Sequence, residues 1–192
     1  MELYGQPQDG WIVMTDDGHP YLYTEIQSEN DWRTMEVFDL KGEKIRHVGT
    51  SNDSPHGALL NDPDEFYLTR RVDALGTYDA YRKFHVGESG MPVAENEVYT
   101  KVNVCDSKEE ETALVSTREL PVTVFDGNGK EEKLPAGTKY YVRATDLENF
   151  VDMELSDGRR CRLAVKKSDK GWGFEIDGVY EEDCFEFIPY AG

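Results

Sequence analysis

Short runs of alternating apolar and polar residues recur along the whole chain, separated by turns rich in Asp, Asn and Gly. The runs contain many aromatic and β-branched residues, a combination typical of β-strands. No long segment keeps the spacing of an amphipathic helix, although Lys108–Ser116 would allow a helical turn or two. The pattern predicts an all-β protein with strands at Tyr21–Ile26, Arg33–Asp39, Lys44–Val48, Glu65–Val72, Tyr78–Val86, Val98–Val104, Val122–Phe125, Lys139–Thr145, Phe150–Leu155, Arg160–Lys166, Gly173–Ile176 and Cys184–Ile188.

The N-terminal half contains an internal repeat with an offset of 46 residues. Apolar residue classes align along it: the run Ile12–Met14 matches Ala58–Leu60, and Tyr21 matches Tyr67. Each unit is interpreted as a short apolar strand, an acidic turn, an aromatic strand and a hairpin. Two such 46-residue repeats predict a β-meander domain over residues 1–105.

One hairpin of the C-terminal half can be predicted in register. If Ser156-Asp157-Gly158 is a three-residue loop with its glycine in the left-handed conformation, the pairing of the two strands is fixed. Opposite charges then meet on one face of the hairpin and apolar side chains meet on the other, which supports the register. The predicted pairs are Glu154 with Arg160, Asp152 with Arg162, Met153 with Cys161, and Val151 with Leu163.

The charge of the chain limits its partners. The formal net charge is −18, and residues 1–117 hold 10 Lys and Arg against 23 Asp and Glu. An excess of negative charge repels phosphate backbones and anionic membranes, so we expect no nucleic-acid binding. No apolar run approaches the roughly 20 residues that span a bilayer. The acidity suits a cationic partner, bound calcium or simple solubility.

Catalytic and metal-binding patterns are weak. The only compact grouping of Asp, Ser and His is Asp53-Ser54-Pro55-His56, and residues so close in one loop rarely assemble a catalytic triad. We therefore expect a polar loop there and predict no catalytic residue, no metal site and no cofactor. Asp16 and Asp62 are the remaining calcium candidates, with turn formation as the simpler interpretation. The three cysteines lack metal-ligand spacing; Cys161 and Cys184 could pair, but we expect them to be reduced.

The segments Trp11–Thr24 and Met35–Gly42 together resemble a blade of the FG-GAP or VCBS-type propeller repeat, which occurs in many secreted bacterial proteins. Calcium-binding blades carry alternating aspartates in their acidic turn, whereas Asp16 and Asp17 are adjacent in this chain. Two blades do not close a propeller. The resemblance therefore implies a paired sheet or sandwich, or a structure completed by another chain.

Residues 118–192 resemble a bacterial SH3-like small barrel. The similarity lies in Leu120–Phe125, in the run Leu134–Arg143 with its Gly-Thr start, and in Asn149–Arg159 with its Leu-Ser-Asp-Gly end. It implies an SH3-like barrel domain, joined to the repeats by a linker at residues 106–117. The sequence departs from that family at Trp172–Tyr180, where we predict an additional hairpin.

Barrels of this kind bind extended peptides or cell-wall stems in aromatic-lined grooves, which directs attention to the C-terminal aromatic residues. Strand alternation places Tyr140 with Val142 on one face and Tyr141 with Arg143 on the other. Trp172, between two glycines, is expected at a surface. The predicted ligand-binding residues are Trp172, Tyr141 and Tyr180.

These observations favour a non-catalytic binding or adhesion module of a secreted or cell-surface bacterial protein, with a cell-wall component, a peptide or a protein as ligand. The start of the chain has neither a basic nor an apolar stretch, which leaves the cytoplasm as an alternative location. One alternative function is an acidic decoy that inhibits a basic partner. Another is a hydrolase that uses two carboxylates. The oligomeric state stays open.

Overall fold

The computed structural model describes residues 5–28, 32–55, 62–102, 111–125, 129–169 and 171–191. Within these ranges the regular structure consists of β-strands and one 3₁₀ turn, Glu181–Asp183, so the predicted all-β class is confirmed. The strands are β1 (Gln6–Met14), β2 (Pro20–Gln27), β3 (Arg33–Asp39), β4 (Arg46–Ser51), β5 (Phe66–Asp73), β6 (Thr77–Val86), β7 (Pro92–Ala94), β8 (Tyr99–Lys101), β9 (Leu114–Val115), β10 (Leu120–Val124), β11 (Lys130–Leu134), β12 (Lys139–Thr145), β13 (Phe150–Leu155), β14 (Arg160–Ala164), β15 (Lys166–Lys167), β16 (Phe174–Ile176) and β17 (Val179–Tyr180).

The chain divides into two compact units. Unit 1 comprises Met1–Arg71 and Tyr81–Glu97, and unit 2 comprises Val72–Ala80 and Val98–Gly192. The end of β5, the start of β6 and the turn between them therefore belong to unit 2, while the rest of both strands belongs to unit 1. Each unit has its own cluster of buried apolar side chains.

These bounds differ from the predicted domains at residues 1–105 and 118–192. Tyr99 and Leu114 are both 2% exposed and lie in the core of unit 2, because their apolar side chains are buried there. The predicted linker at 106–117 is therefore part of unit 2 where it is described, and residues 106–110 lie outside the described residues.

The helical turn expected at Lys108–Ser116 is wrong for the described part of that segment. Leu114 and Val115 form β9 and pair with Tyr140 and Lys139 of β12. Two backbone partners and a buried Leu114 side chain favour the extended conformation over a short isolated helix, which is marginal in water.

Unit 1 consists of a four-stranded antiparallel meander, β1 to β4, and the strands β5, β6 and β7. The inward faces of both groups contribute to one core, as expected for two layers of sheet that each have one apolar face. The buried members of this core are Val13, Tyr21, Tyr23, Met35, Val37, Phe66, Leu68 and Phe84.

The predicted repeat agrees with the structure in strand position but not in side-chain orientation. Both ends of β5 lie 46 residues after the ends of β2, and β7 begins 46 residues after β4. However, Tyr21 is 5% exposed and its counterpart Tyr67 is 44% exposed, while Met35 is buried and its counterpart Tyr81 is exposed. A shift of one residue exchanges the two faces of a strand. The duplication is therefore not confirmed residue by residue, and Ala58–Leu60 lies outside the described residues.

The main sheet of unit 2 has the strand order β11-β10-β14-β13-β12-β8, followed by the first residues of β6. The short strand β9 also pairs with β12, and a separate sheet has the order β15-β16-β17. Within the described ranges this sheet is open, so the closed small barrel expected from the family resemblance is not present. The predicted additional hairpin corresponds to β16 and β17.

The predicted hairpin register is confirmed in all four pairs. Gly158 has a φ of 87°, and Asp152 accepts two hydrogen bonds from Arg162, at 2.7 and 2.9 Å. The Glu154 carboxylate accepts a hydrogen bond from Nε of Arg143 at 3.0 Å, so this acid is tied to the neighbouring strand β12.

Gly90 allows the closest approach of backbone to core in unit 1. Its φ is +89°, and a Cβ added to it would overlap the ring of the buried Tyr21. Its carbonyl oxygen accepts a hydrogen bond of 2.7 Å from the buried Tyr23 hydroxyl. The loop between β6 and β7 is therefore fixed to the core through one residue without a side chain.

Replacing Gly90 by Ala should destabilise the protein more than the same change at Gly18. Gly18 has a comparable φ of +76° but no atom within 4 Å of an added Cβ, so Gly18→Ala measures the backbone strain alone, about 1–2 kcal/mol. Gly90→Ala adds the displacement of the Tyr21 ring. Urea unfolding of the two variants tests this, and equal losses of unfolding free energy would show that the Tyr21 contact does not constrain the loop.

Candidate functional site

Three aromatic rings meet on the surface of unit 2, and we call them the aromatic cluster: Trp172, Tyr180 and Tyr190. The Trp172 ring lies 5.9 Å from the Tyr180 ring with an interplanar angle of 83°, and 5.7 Å from the Tyr190 ring at 74°. These edge-to-face geometries are favourable for aromatic pairs. Trp172 is nevertheless 55% exposed, so the cluster presents aromatic surface to solvent.

The β16–β17 hairpin brings Trp172 and Tyr180 together. Asp177 and Gly178, both with positive φ, form the two-residue turn that suits a tight hairpin. In this register Tyr180 lies opposite Glu175, at the end of the hairpin away from the turn. Trp172 precedes β16 by two residues and therefore lies at the same end of the hairpin as Tyr180.

Tyr190 reaches the cluster from the C-terminal segment, which Thr77, the first residue of β6, fixes in place. The Thr77 amide donates to the Pro189 carbonyl at 3.0 Å, and the Ala191 amide donates to the Thr77 hydroxyl at 3.0 Å. Tyr190 therefore lies between two backbone anchors, and its ring position is set by residues more than 100 positions earlier in the chain.

A buried carboxyl group belongs to the same site. Glu181, the first residue of the 3₁₀ turn, is 0% exposed, and its Oε1 accepts a hydrogen bond of 2.8 Å from the Tyr190 hydroxyl. Its Oε2 is also buried and has no hydrogen-bond partner among the described residues. A Cβ at Gly173 would overlap Oε1 and approach the Tyr180 hydroxyl within 2.9 Å, so the glycine leaves the space that the carboxyl group occupies.

Burial sets the electrostatics of this site. It raises the pKa of Glu181, and the hydrogen bonds from the Tyr190 hydroxyl and the Phe174 backbone amide offset the effect only in part. The pKa of Tyr190 is raised by burial and by its hydrogen bond to the Glu181 carboxyl group. Burial and the charges of Glu182 and Glu181 raise the pKa of Tyr180 as well. Both tyrosines thus stay neutral across the physiological range, beside an acid whose charge is poorly solvated.

The third predicted ligand-binding residue, Tyr141, lies in a different setting on β12. Its side chain is half-buried, and the guanidinium of Arg143 lies 5.7 Å from its ring centroid. Arg143 also bonds Glu111 at 2.7 Å, and Glu111 bonds Lys101 at 2.8 Å. Tyr141 therefore flanks a chain of ion pairs, while the structure joins Trp172 and Tyr180 in the aromatic cluster.

A cavity of about 290 Å³ opens next to these ion pairs, within unit 2. The hydroxyl of Tyr78 is buried there without a hydrogen-bond partner among the described residues, and Lys101 Nζ lies 5.7 Å from the Tyr78 ring centroid. Its lining is mixed, with apolar walls and charged groups, and includes Leu75, Tyr78, Asp79, Lys101, Glu111 and Leu114.

The other sequence candidates have structural partners. Asp53 is 6% exposed and lies 3.6 Å from Arg82, while Ser54 pairs through its backbone with Thr69. His56 lies outside the described residues, so the Asp-Ser-His grouping is only partly described.

The two described cysteines, Cys161 and Cys184, are buried free thiols, and burial raises the pKa of Cys161 to about 12. Cys105 lies outside the described residues. Within the described ranges, no three His, Cys, Asp or Glu side chains converge in a way that could hold a metal ion. In the same ranges no helix has the length and apolar content needed to cross a membrane.

Comparisons with protein-family models, with curated proteins and with solved structures find no match to this chain. The chain is therefore described by its fold and its site. It is an all-β chain of two units, and the second unit carries the exposed aromatic cluster beside the buried Glu181.

Replacing Glu181 by Gln should change how stability depends on pH. Because the folded-state pKa of Glu181 is raised, its contribution to stability is complete below the ordinary glutamate pKa and is lost as the pH rises through the folded value. Glutamine does not ionise. Relative to wild type, Glu181→Gln should therefore gain stability as the pH rises from the ordinary glutamate pKa, near about pH 4, through the raised folded-state value.

Urea unfolding at several pH values measures this difference. The exposed Glu186 serves as the control, because Glu186→Gln removes the same charge from the surface. A pH-independent difference between Glu181→Gln and wild type would contradict the inferred effect of burial.

Proposed function

We propose that this chain is a non-catalytic binding or adhesion module, as expected for a secreted or cell-surface bacterial protein, and that it binds its ligand through the aromatic cluster of unit 2. The observation that carries the proposal is the 55% exposure of Trp172 while it packs against two tyrosine rings. A large aromatic residue held rigidly at the surface supplies contact area with little loss of conformational entropy on binding.

The strands of unit 2 share one feature with a small barrel, although their sheet is open within the described ranges. β9 pairs with β12, and Ser116, the next residue, bridges Phe185. The extended segment at β9 and Ser116 and the segment at Phe185 are thus neighbours. The meander β12-β13-β14 lies between them in the sequence. In a closed barrel the first and last strands are likewise neighbours, because the sheet has no edge.

The hydrolase alternative gains no support from the cavity of unit 2. Two acids line it, Asp79 and Glu111, but a general acid needs a raised pKa. Burial acts to raise the pKa of Glu111, yet hydrogen bonds from Arg143 and Lys101 outweigh burial and lower it. The acid is therefore held ionised by its two cationic partners.

The acidic-decoy alternative requires carboxylates gathered in one patch. In unit 1 several described carboxylates are instead paired with cationic side chains: Asp39 with Arg46, Glu25 with Arg33, and Glu65 with Lys83. Ion-paired acids offer less charge to a basic partner. The aromatic cluster is the better-supported binding surface.

Retention on purified bacterial cell wall or on a peptide library tests the proposal. Wild-type protein should be retained, and Trp172→Ala should reduce retention at least about tenfold, since loss of a central aromatic contact typically reduces binding free energy by 2 kcal/mol or more. Because the variant also loses the ring contacts with Tyr180 and Tyr190, we expect a lower melting temperature, and retention is measured where circular dichroism shows both proteins folded.

Trp32→Ala is the matched control. Trp32 is 39% exposed and lies in unit 1, so its removal should leave retention unchanged. Equal retention of Trp172→Ala and wild type, or no retention of either, would count against the proposal.

A further inference from the structure

Most sheet edges in the described structure are protected against pairing with another chain. The edge strand β11 carries the charged run Lys-Glu-Glu-Lys, and the edge strand β4 begins with Arg46 and His47. Ser54 bridges the free side of β5, where its backbone exchanges two hydrogen bonds of 2.8 Å with Thr69. The strands β7, β9, β15 and β17 have only two or three residues. Charged residues, covering segments and short strands are the usual devices by which proteins prevent edge-to-edge association.

The edge strand β1 is protected along its first half only. It has nine residues and pairs, among the described residues, with β2 alone. In the first half Pro7 has no N–H group to donate, Asp9 is charged, and the register with β2 is interrupted between Pro7 and Gly10. The second half, residues 11–14 with the sequence Trp-Ile-Val-Met, has no charge, no proline and no interruption. We call the unpaired side of these four residues the open edge.

The side chains beside the open edge are apolar on both faces of the sheet. On the core face Val13 is buried, and Trp11 is half-buried against the core of unit 1. On the opposite face Ile12 is 58% exposed and Met14 is 50% exposed. A strand added beside β1 would contact the exposed part of Trp11 on one face and Ile12 with Met14 on the other. The segment that fits is therefore apolar at successive positions.

Exposed acids lie at both ends of the open edge. Asp9 precedes it in β1, and Asp16 and Asp17 follow it in the turn to β2. None of the three forms an ion pair with another described residue, in contrast to Glu25 with Arg33 and Glu65 with Lys83. The sequence of unit 1 holds 8 Lys and Arg against 17 Asp and Glu. This charge attracts basic residues to both ends of an added strand, in either chain direction, and repels a second copy of the same edge.

We propose that the open edge of β1 binds an extended segment of a partner protein by strand addition, and that this segment has about four successive β-branched residues between Lys or Arg residues. Main-chain hydrogen bonds extend the meander β1 to β4 by a fifth strand, and the flanking basic residues face Asp9 and Asp16. The open edge belongs to unit 1 and the aromatic cluster to unit 2, so this is a binding function additional to the one proposed above.

Titration of the full chain with three labelled peptides, followed by fluorescence anisotropy, tests the proposal. The first peptide has two valines and two isoleucines between two pairs of lysines. The second has glutamates instead of lysines, and the third keeps the lysines but carries methyl groups on its central peptide nitrogens. The first should bind at least about tenfold more tightly than either of the others, because the second is repelled and the third lacks backbone donors. Equal binding of the first peptide and either of the others, or no binding of the first, would overturn the proposal.

A matched pair of variants locates the binding edge. Ile12→Lys adds a positive charge beside the open edge, and Ile45→Lys adds the same charge between β3 and β4, where Ile45 is 69% exposed. Because both side chains are exposed, both variants should keep the wild-type circular dichroism spectrum. Ile12→Lys should weaken binding of the lysine peptide at least about fivefold, and Ile45→Lys less than about twofold. Equal weakening would show that the overall acidity of unit 1 attracts the peptide and that the open edge is not its site.

Amide hydrogen exchange of the wild-type complex identifies the paired strand directly. The lysine peptide should slow exchange at residues 11–14 and leave the edge strand β11 unchanged. Protection of another edge without β1 contradicts the proposal.

Trp172→Ala separates this site from the aromatic cluster. The variant should bind the lysine peptide as wild type does, because Trp172 belongs to unit 2. Loss of peptide binding in Trp172→Ala would assign the peptide to the aromatic cluster and overturn the inference. Retention on cell wall is expected to depend on Trp172 and not on Ile12, so the failure of one binding function is distinguishable from the failure of the other.

Discussion

The register of the antiparallel strands is the constraint on which the rest of the structure depends. Side chains alternate between two faces of a strand, so a slip of one residue would exchange core and surface along its whole length. In the β13–β14 hairpin a single register places Met153 opposite Cys161 in the core and Asp152 opposite Arg162 on the outside. The apolar pair and the charged pair both require it, and they stabilise the same arrangement.

The aromatic cluster depends on the same kind of constraint in the small sheet. The turn at Asp177 and Gly178 fixes the β16–β17 pairing, and this pairing brings Tyr180 beside Trp172. Glu181 follows Tyr180 directly, so its entry into the core is coupled to the position of the exposed rings. A surface of aromatic faces and a poorly solvated acid thus arise from one hairpin and the segment that follows it.

Much of the fold could be predicted from local pattern. The bounds of β3, β12 and β13 agree residue for residue with the alternation of their side chains. β11, with the sequence Lys-Glu-Glu-Lys-Leu, could not be predicted, because an edge strand paired only with β10 buries little apolar surface. The 46-residue repeat was predicted from residue types, but side-chain burial does not follow it. Its aligned tyrosines match in type, yet tertiary packing buries Tyr21 and exposes Tyr67.

The sequence by itself determined the all-β class, the hairpin register and the exposed position of Trp172 between two glycines, because each depends on residues close together in the chain. Only the tertiary structure decided the rest of the site. Glu181 and Glu182 are identical neighbours, yet one is buried and the other exposed. Tyr190 joins the cluster through contacts with Thr77 and Glu181. Burial is set by segments far apart in sequence, which no local pattern records.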